Sequence, residues 1–144
     1  MSDIAFDGHA HTITLRDRHG NVVGTWPANN RTDAHATLQF VANGVYAVQD
    51  TNAPYHHSAH QDSVNGEFGT QGIVRFNVPG HDGIGIHAGR QTIPDRTPER
   101  GTGPNHVTTG CIRTTDEAMR VIAQTMQRDP LTQVHVQHNR NQRR

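Results

Sequence analysis

The sequence predicts a mainly β fold built from short strands and one principal α-helix. Apolar residues make up only 32% of the 144 positions and charged residues 18%, a composition that favours strands and loops over a helical bundle. Short apolar segments recur between turns rich in Gly, Asn and Pro, and clear helical spacing occurs only after position 114. A chain of this length forms one domain, which we place at residues 1–138, with a flexible polar tail at 139–144.

Two hairpins are predicted in the first half of the chain. Residues 12–15 and 22–26 are strand-like segments on either side of turn-forming residues, which indicates the first hairpin. Residues 37–41 and 45–48 flank Asn43-Gly44, a dipeptide that favours the two-residue turn of a second hairpin.

Loops and three further strands are predicted after position 49. Residues 50–72 are polar with little periodicity, so we expect a long surface excursion that borders a binding cleft. Residues 73–78 and 83–87 have the pattern of strands, the Pro- and Gly-containing residues 90–103 that of a loop, and residues 134–136 that of a last strand.

The helix is the most sharply defined element of the sequence. Thr114 and Glu117 have the spacing of a capping box, which places the N-cap at Thr114. Four apolar residues then fall on one helical face, and Asp129-Pro130 ends the helix; the four are Met119, Ile122, Ala123 and Met126.

Charge and residue types exclude several functions. Thirteen basic residues balance thirteen acidic ones, so no net field favours nucleic acid or an anionic membrane. All the basic residues are Arg, which excludes lysine nucleophiles and a P-loop lysine. No segment approaches the roughly 20 apolar residues of a membrane span. The single cysteine, Cys111, is either a small buried apolar residue or a reactive thiol.

The surroundings of Cys111 favour a nucleophile. It lies three residues before the predicted N-cap Thr114, where the positive end of a helix stabilises a thiolate. Gly110 allows a tight bend that points backbone N–H groups at a developing oxyanion. Arg113 adds a positive charge and is also a candidate to bind a substrate carboxylate.

A base for this nucleophile is predicted at His87. An apolar strand holds its imidazole, and small neighbouring residues leave access to it. A backbone carbonyl, with that of Ala88 as the candidate, orients the ring because no acidic residue is adjacent in sequence. His106, five residues before Cys111, is the competing base.

These residues resemble the catalytic motif of the L,D-transpeptidase (YkuD-like) family, in which a His-Gly segment precedes Ser/Thr-His-Gly-Cys-Ile/Val-Arg/Asn. Ile86-His87-Ala88-Gly89 is similar to the first half, and Thr108-Thr109-Gly110-Cys111-Ile112-Arg113 is similar to the second. Asn43-Gly44-Val45-Tyr46 is similar to the family's Gly-x-Tyr/Phe strand, and the helix from Thr115 is similar to its post-cysteine helix.

The resemblance implies one L,D-transpeptidase-like catalytic domain, a YkuD-like β-sandwich or barrel of mixed strands with the helix after the cysteine. It implies that Cys111 attacks a carbonyl of a peptidoglycan stem peptide without a cofactor, as an L,D-transpeptidase or L,D-carboxypeptidase. The catalytic residues are then Cys111, His87, Ala88 and Gly110, and the substrate-binding residues Arg113, Thr108, Thr109, Tyr46 and His106.

Two departures from the family pattern are present. Thr109 stands where the family has a second histidine, and the loop between His87 and Thr108 is longer. Small variants of this kind resemble peptidoglycan-targeting antibacterial effectors delivered by type VI secretion. Because residues 1–7 lack the basic and apolar regions of a signal peptide, we expect synthesis in the cytoplasm and export by a specialised secretion system to the periplasm of a target cell, with an immunity protein as a further partner.

Three alternatives remain open at this point. A papain-like or NlpC-like peptidoglycan amidase also uses a Cys-His pair, although its cysteine commonly precedes its histidine. An inactive peptidoglycan-binding module would keep the scaffold and is consistent with Thr109. His56-His57-x-x-His60 has a spacing at which imidazoles share a metal ion, but without a supporting Cys or Glu we expect a polar loop and no metal site.

Overall fold

The computed structural model of the protein describes residues 1–92 and 101–140, and in this part of the chain it contains eight strands and one α-helix. The prediction of a mainly β fold with one principal helix is confirmed. In chain order the elements are β1 (Ser2–Asp7), β2 (Thr12–Arg16), β3 (Val22–Pro27), β4 (Gly44–Ala47), β5 (Val74–Arg75), β6 (Gly85–His87), β7 (Ile112–Arg113), α1 (Asp116–Met126) and β8 (Leu131–Gln137).

Five strands form a mixed sheet in the order β3-β2-β1-β8-β4. The predicted first hairpin is confirmed as the antiparallel pair of β2 and β3. Strand β1 was not predicted, yet it is the central strand and pairs in parallel with β8. Only Ile4 and Phe6 signal it in the sequence, and both are fully buried in the apolar core.

The predicted second hairpin is wrong. Strand β4 forms, but residues 37–41 form no strand, and β4 pairs with β8, with Tyr46 opposite Val134. The backbone N–H of Val41 binds the side chain of Asn30 instead of a strand partner. The side chain of Asn43 likewise accepts the N–H of Asn139, so long-range contacts override the local turn preference.

The second sheet has the order β5-β6-β7 and carries the segments around Cys111 and His87. Strands β5 and β6 confirm, in shorter form, the strands predicted at residues 73–78 and 83–87, and they pair antiparallel. Strand β7 pairs with β6 in parallel. One buried apolar cluster includes residues of both sheets and of α1, so the two sheets share a core.

Helix α1 is confirmed, but it begins one residue later than the capping box predicts. Thr115 is the N-cap, and its hydroxyl oxygen accepts the N–H of Ala118. The hydroxyl of Thr114 donates instead to the Pro27 carbonyl at 2.7 Å. Of the apolar residues predicted for the buried face, Ala123 is partly exposed and the others are buried.

The end of the described chain is attached to the body of the protein. Asn139, the first residue of the tail predicted from the sequence, is only 5% exposed and donates its N–H to Asn43. Residues 141–144 of that tail and residues 93–100 of the predicted loop lie outside the described residues. Within the described residues, no helix has the length and apolar character needed to cross a lipid bilayer.

Candidate active site

The parallel pairing of β6 and β7 places Cys111 and His87 on neighbouring segments of one sheet. His87 ends β6 and lies opposite Arg113 of β7, and Cys111 directly precedes β7. Side chains alternate along a strand, and those of matched residues on neighbouring strands point to the same face. Cys111, two residues before Arg113, therefore faces the same side of the sheet as His87, one strand away.

The thiol of Cys111 is almost fully enclosed, with 7% of the residue exposed. Its Sγ lies 3.6 Å from the carbonyl oxygen of Gly83. Burial raises the pKa of the thiol to about 11, although the N–H of Gly85 and the charge of Arg113 both act to lower that pKa. The thiol is therefore neutral near pH 7.

The imidazole of His87 is completely buried and held by a backbone carbonyl. Its Nδ1 lies 2.8 Å from the oxygen of Ala88, so we assign the proton to Nδ1 and leave Nε2 as the basic nitrogen. Nε2 has no hydrogen-bond partner among the described residues. Burial, with the charge of Arg113 adding to it, lowers the pKa of His87 to about 3. The predicted orienting role of Ala88 matches this geometry.

The expected stabilisation of a thiolate by the helix is absent from this arrangement. Strand β7 separates Cys111 from α1, and the hydroxyl of Thr115 occupies the N–H of Ala118. Asp116 and Glu117 also add negative charge to the first turn. Cys111 and His87 are therefore a neutral thiol and a neutral imidazole, so attack by this thiol would require a proton transfer at the same time.

A hydrogen-bonded turn holds the backbone before the cysteine. The hydroxyl of Thr108 donates to the carbonyl of Cys111 at 2.7 Å and accepts the N–H of Gly110 at 3.2 Å. Gly110 has φ of +141°, and a Cβ atom there would lie 2.9 Å from Cδ1 of Ile84. Glycine is required at this position by both conformation and space. Thr109, next to it, is exposed.

Arg113 points inward rather than toward a substrate. Only 1% of it is exposed, and its Nη1 donates to the carbonyls of Ala88 at 3.0 Å and Glu67 at 3.2 Å. Burial lowers the pKa of its guanidinium to about 10, so it remains a cation. The suggested direct contact with a substrate carboxylate does not match this position. Arg113 instead holds the carbonyl that orients His87.

Two residues of the 50–72 excursion that the sequence did not single out lie at the site. The ring of Phe68 packs edge-to-face on His87 with ring centroids 4.9 Å apart. Glu67 pairs with Arg90 at 2.6 Å. Although burial acts to raise the pKa of Glu67, the hydrogen bond from Arg90 and the charge of Arg113 hold it below its ordinary value. The sequence indicated only that this excursion borders a cleft.

Tyr46 and His106, two further residues predicted for the site, contact other parts of the protein than His87 does. Tyr46 packs on Phe76 with ring centroids 5.6 Å apart and donates its hydroxyl to Ala42, within the environment of β4 rather than of β6 and β7. His106 is buried after a short 3-10 turn at Gly103–Asn105, with Nδ1 2.9 Å from the carbonyl of Val107. The register of β6 and β7 favours His87 over His106 as the base.

The histidine-rich segment is built as a polar and aromatic surface. Nδ1 of His56 lies 2.8 Å from a carboxylate oxygen of Asp62, and the rings of His57 and His60 pack edge-to-face 4.9 Å apart. Within residues 1–92 and 101–140, no group of three or more His, Cys, Asp or Glu side chains could hold a metal ion.

Solved structures of L,D-transpeptidases share this fold. The crystal structure of an L,D-transpeptidase (Yku) from Stackebrandtia nassauensis aligns with a TM-score of 0.59 and 13% identity, covering 98% of this chain and 57% of that one. L,D-transpeptidase 1 of Mycobacterium tuberculosis aligns with a TM-score of 0.53 and 16% identity, over 94% and 60%. An L,D-transpeptidase from Mycobacterium smegmatis aligns with a TM-score of 0.51 and 18% identity, over 94% and 58%.

The chain therefore spans less than two thirds of the length of these structures. No curated protein matches it. Residues 4–136 match the family model described as the YkuD L,D-transpeptidase catalytic domain, a span that includes both sheets and α1. The chain belongs to the YkuD family of L,D-transpeptidase catalytic domains.

Proposed function

We propose that the protein is a cysteine-dependent peptidoglycan L,D-transpeptidase or L,D-carboxypeptidase. One observation carries the proposal: the buried thiol of Cys111 shares a sheet face with an imidazole whose Nδ1 is bound to the Ala88 carbonyl. A histidine held in this way presents an unprotonated Nε2 as a general base. Family membership supplies the substrate class, the stem peptides of peptidoglycan.

The reaction begins with attack of Sγ of Cys111 on a stem-peptide carbonyl. The new S–C bond forms as the thiol proton moves to Nε2 of His87. The C–N bond then breaks, and the amine of the departing D-centre residue takes this proton, which leaves a thioester acyl-enzyme. Attack by an acceptor amine gives a cross-link or an exchanged D-amino acid, whereas attack by water gives carboxypeptidase cleavage. In either case the attacking group transfers a proton to His87 and the thiol recovers it.

The backbone N–H of Cys111 is the candidate donor to the oxyanion. The carbonyl of Gly110 accepts a hydrogen bond from Asn30. Because a trans peptide group is planar, the N–H of Cys111 points away from Asn30. Among the described residues it donates to no backbone carbonyl, so we propose that it binds the charge that develops on the substrate.

Product analysis on muropeptides tests this proposal. We expect the wild-type protein to convert disaccharide tetrapeptides into cross-linked, exchanged or shortened products detected by mass spectrometry. Cys111→Ala should abolish conversion, and His87→Ala should lower kcat by at least about 100-fold. His35→Ala, at an exposed histidine, is the matched control and should retain activity. Unchanged tetrapeptides with the wild-type protein, or full activity of Cys111→Ala, would sink the proposal.

A second candidate, an inactive peptidoglycan-binding module, is supported by the raised pKa of Cys111 and by Thr109 in place of the family histidine. Muropeptide binding by calorimetry without turnover, together with alkylation of Cys111 that is independent of His87, would favour it.

An amidase of the papain or NlpC type is disfavoured by the family match. Cleavage at a D-Glu bond inside the stem would restore it.

The place of action is a separate part of the proposal. We propose action in the periplasm of a target cell after delivery by a specialised secretion system, with an immunity protein as partner, on the basis of the sequence resemblance to secreted effectors. Expression directed to the periplasm of a host cell should cause lysis, whereas cytoplasmic expression and periplasmic Cys111→Ala should not. Equal growth of all three strains would contradict the effector role.

A further inference from the structure

We propose that Asn30 and Asn139 are positioning residues for the Cys111 nucleophile. The inference rests on the proposed function for its kinetic meaning, but its structural content is independent of the reaction. Asn30 lies 81 residues before Cys111, and Asn139 follows β8 near the C-terminal end of the described chain. Neither residue belongs to the motif by which the sequence resembles the family.

The amide of Asn30 uses every hydrogen-bonding position that it has. Its Nδ2 donates to the carbonyls of Gly110 at 2.9 Å and Cys111 at 3.0 Å. Its Oδ1 accepts the N–H of Val41 at 2.7 Å and the side-chain amide of Asn139 at 3.0 Å. Asn30 is fully buried. A buried amide with four partners has a single orientation, because a flipped amide would face donors with donors and acceptors with acceptors.

Asn139 supports this orientation. Its Nδ2 donates both to Oδ1 of Asn30 and to the carbonyl of Val41 at 2.7 Å. Gly8 makes room for it, since a Cβ atom at Gly8 would lie 2.5 Å from Cα of Asn139. The segment after β8 therefore reaches the cysteine through one intermediate side chain.

The consequence for the site lies in the direction of two backbone carbonyls. With the carbonyls of Gly110 and Cys111 drawn toward Asn30, the intervening N–H of Cys111 turns the opposite way, which is the direction in which it would act as the proposed oxyanion donor. The Thr108 hydroxyl binds the Cys111 carbonyl as well, so Asn30 and Thr108 together hold the residue that carries Sγ. Removal of the Asn30 side chain takes away the side-chain hydrogen bond to the Gly110 carbonyl. The Cys111 carbonyl then keeps only the hydrogen bond from Thr108.

The experiment measures kcat and KM on tetrapeptides, together with the rate of Cys111 alkylation by iodoacetamide against pH. We expect Asn30→Ala to lower kcat by about 10- to 100-fold with KM changed less than about threefold, because misplacement of a catalytic group by a fraction of an ångström affects the transition state most. Asn139→Ala should lower kcat in the same direction and by less. Asn52→Ala, at an exposed asparagine, is the control and should match the wild type.

The alkylation profile separates this inference from the proposed function. If the wild-type protein turns over no peptide, the function fails, and a shifted alkylation profile in the folded Asn30→Ala and Asn139→Ala variants still supports positioning. A folded Asn30→Ala with wild-type kcat and an unshifted profile overturns the inference. If Asn30→Ala does not fold by circular dichroism, Asn139→Ala decides: wild-type kcat and alkylation in that variant overturn it as well.

Discussion

At the scale of single residues, burial sets the protonation of Cys111 and His87, the proposed catalytic pair. It raises the pKa of Cys111 and lowers that of His87, and both shifts favour the neutral form. Arg113 opposes the first shift and adds to the second, since a cation favours a thiolate and disfavours an imidazolium. In the proposed reaction the thiolate therefore forms during attack and is not present beforehand as an ion pair. Catalysis would then depend on how Nε2 of His87 is placed relative to Sγ of Cys111.

The folded protein should lose stability in acid through His87. Its folded pKa of about 3 lies below the ordinary 6.5, so at intermediate pH the unfolded chain binds a proton that the folded chain does not. This contribution is fully present above pH 6.5 and is lost as pH falls toward 3. His87→Gln, which does not titrate, should weaken the change in unfolding free energy between pH 7 and pH 4 by on the order of 3 kcal/mol.

Urea unfolding of both proteins at pH 7, 5 and 4 measures this difference. The comparison removes the acid losses that both proteins share at Asp and Glu residues. His35→Gln, at an exposed histidine, should follow the wild-type curve. Parallel curves for the wild type and His87→Gln would contradict a buried neutral imidazole.

At the scale of elements, two very short strands place residues that are distant in sequence next to each other. Strands β6 and β7 have three and two residues, and all five residues are buried. Their parallel pairing places the His87 and Arg113 positions side by side although 26 positions separate them in the chain. Strand β7 ends at Arg113, and helix α1 begins after its N-cap Thr115, two residues later.

The N-cap at Thr115 should contribute measurably to stability. Thr115→Ala removes the acceptor for the N–H of Ala118 and should cost about 1 kcal/mol, whereas Thr115→Ser keeps the oxygen and should cost less than about 0.5 kcal/mol. Thermal unfolding measures both changes. Thr37→Ala, at an exposed loop position, is the matched control. A loss of about 1 kcal/mol in Glu117→Ala would instead favour the capping box expected from the sequence.

At the scale of the whole molecule, the two ends of the described chain form the centre of the large sheet. Strand β1 lies between β2 and β8, and β8 lies between β1 and β4. The amino group of Met1 also pairs with Asp129 at 3.2 Å. Folding of the sheet therefore depends on contacts between residues more than 120 positions apart.

The central position of β1 predicts a large effect of its core side chain. Phe6 is fully buried, and Phe6→Ala should lower the free energy of unfolding by about 3–5 kcal/mol. Val45, which is 58% exposed on the edge strand β4, is the control, and Val45→Ala should cost less than about 1 kcal/mol. Urea denaturation followed by circular dichroism measures both. Equal losses would mean that β1 is not the core strand.

The sequence by itself determined the features that depend on neighbouring residues. The 3.6-residue spacing predicted α1, turn-forming residues between two strand segments predicted β2 and β3, and the motif around Cys111 and His87 predicted the family. Each depends on local backbone preferences or on residue types at short spacing, so it is visible in a single chain.

Only the tertiary structure decided the features that join distant segments. The pairing of β4 with β8, the central place of β1, and the contacts of Phe68 with His87 and of Asn30 with Cys111 all link residues far apart in sequence. The protonation states of Cys111 and His87 also depend on the tertiary structure. A pKa depends on how much water and charge surround a group, and that is set by the packing of the whole chain rather than by the residues beside the group.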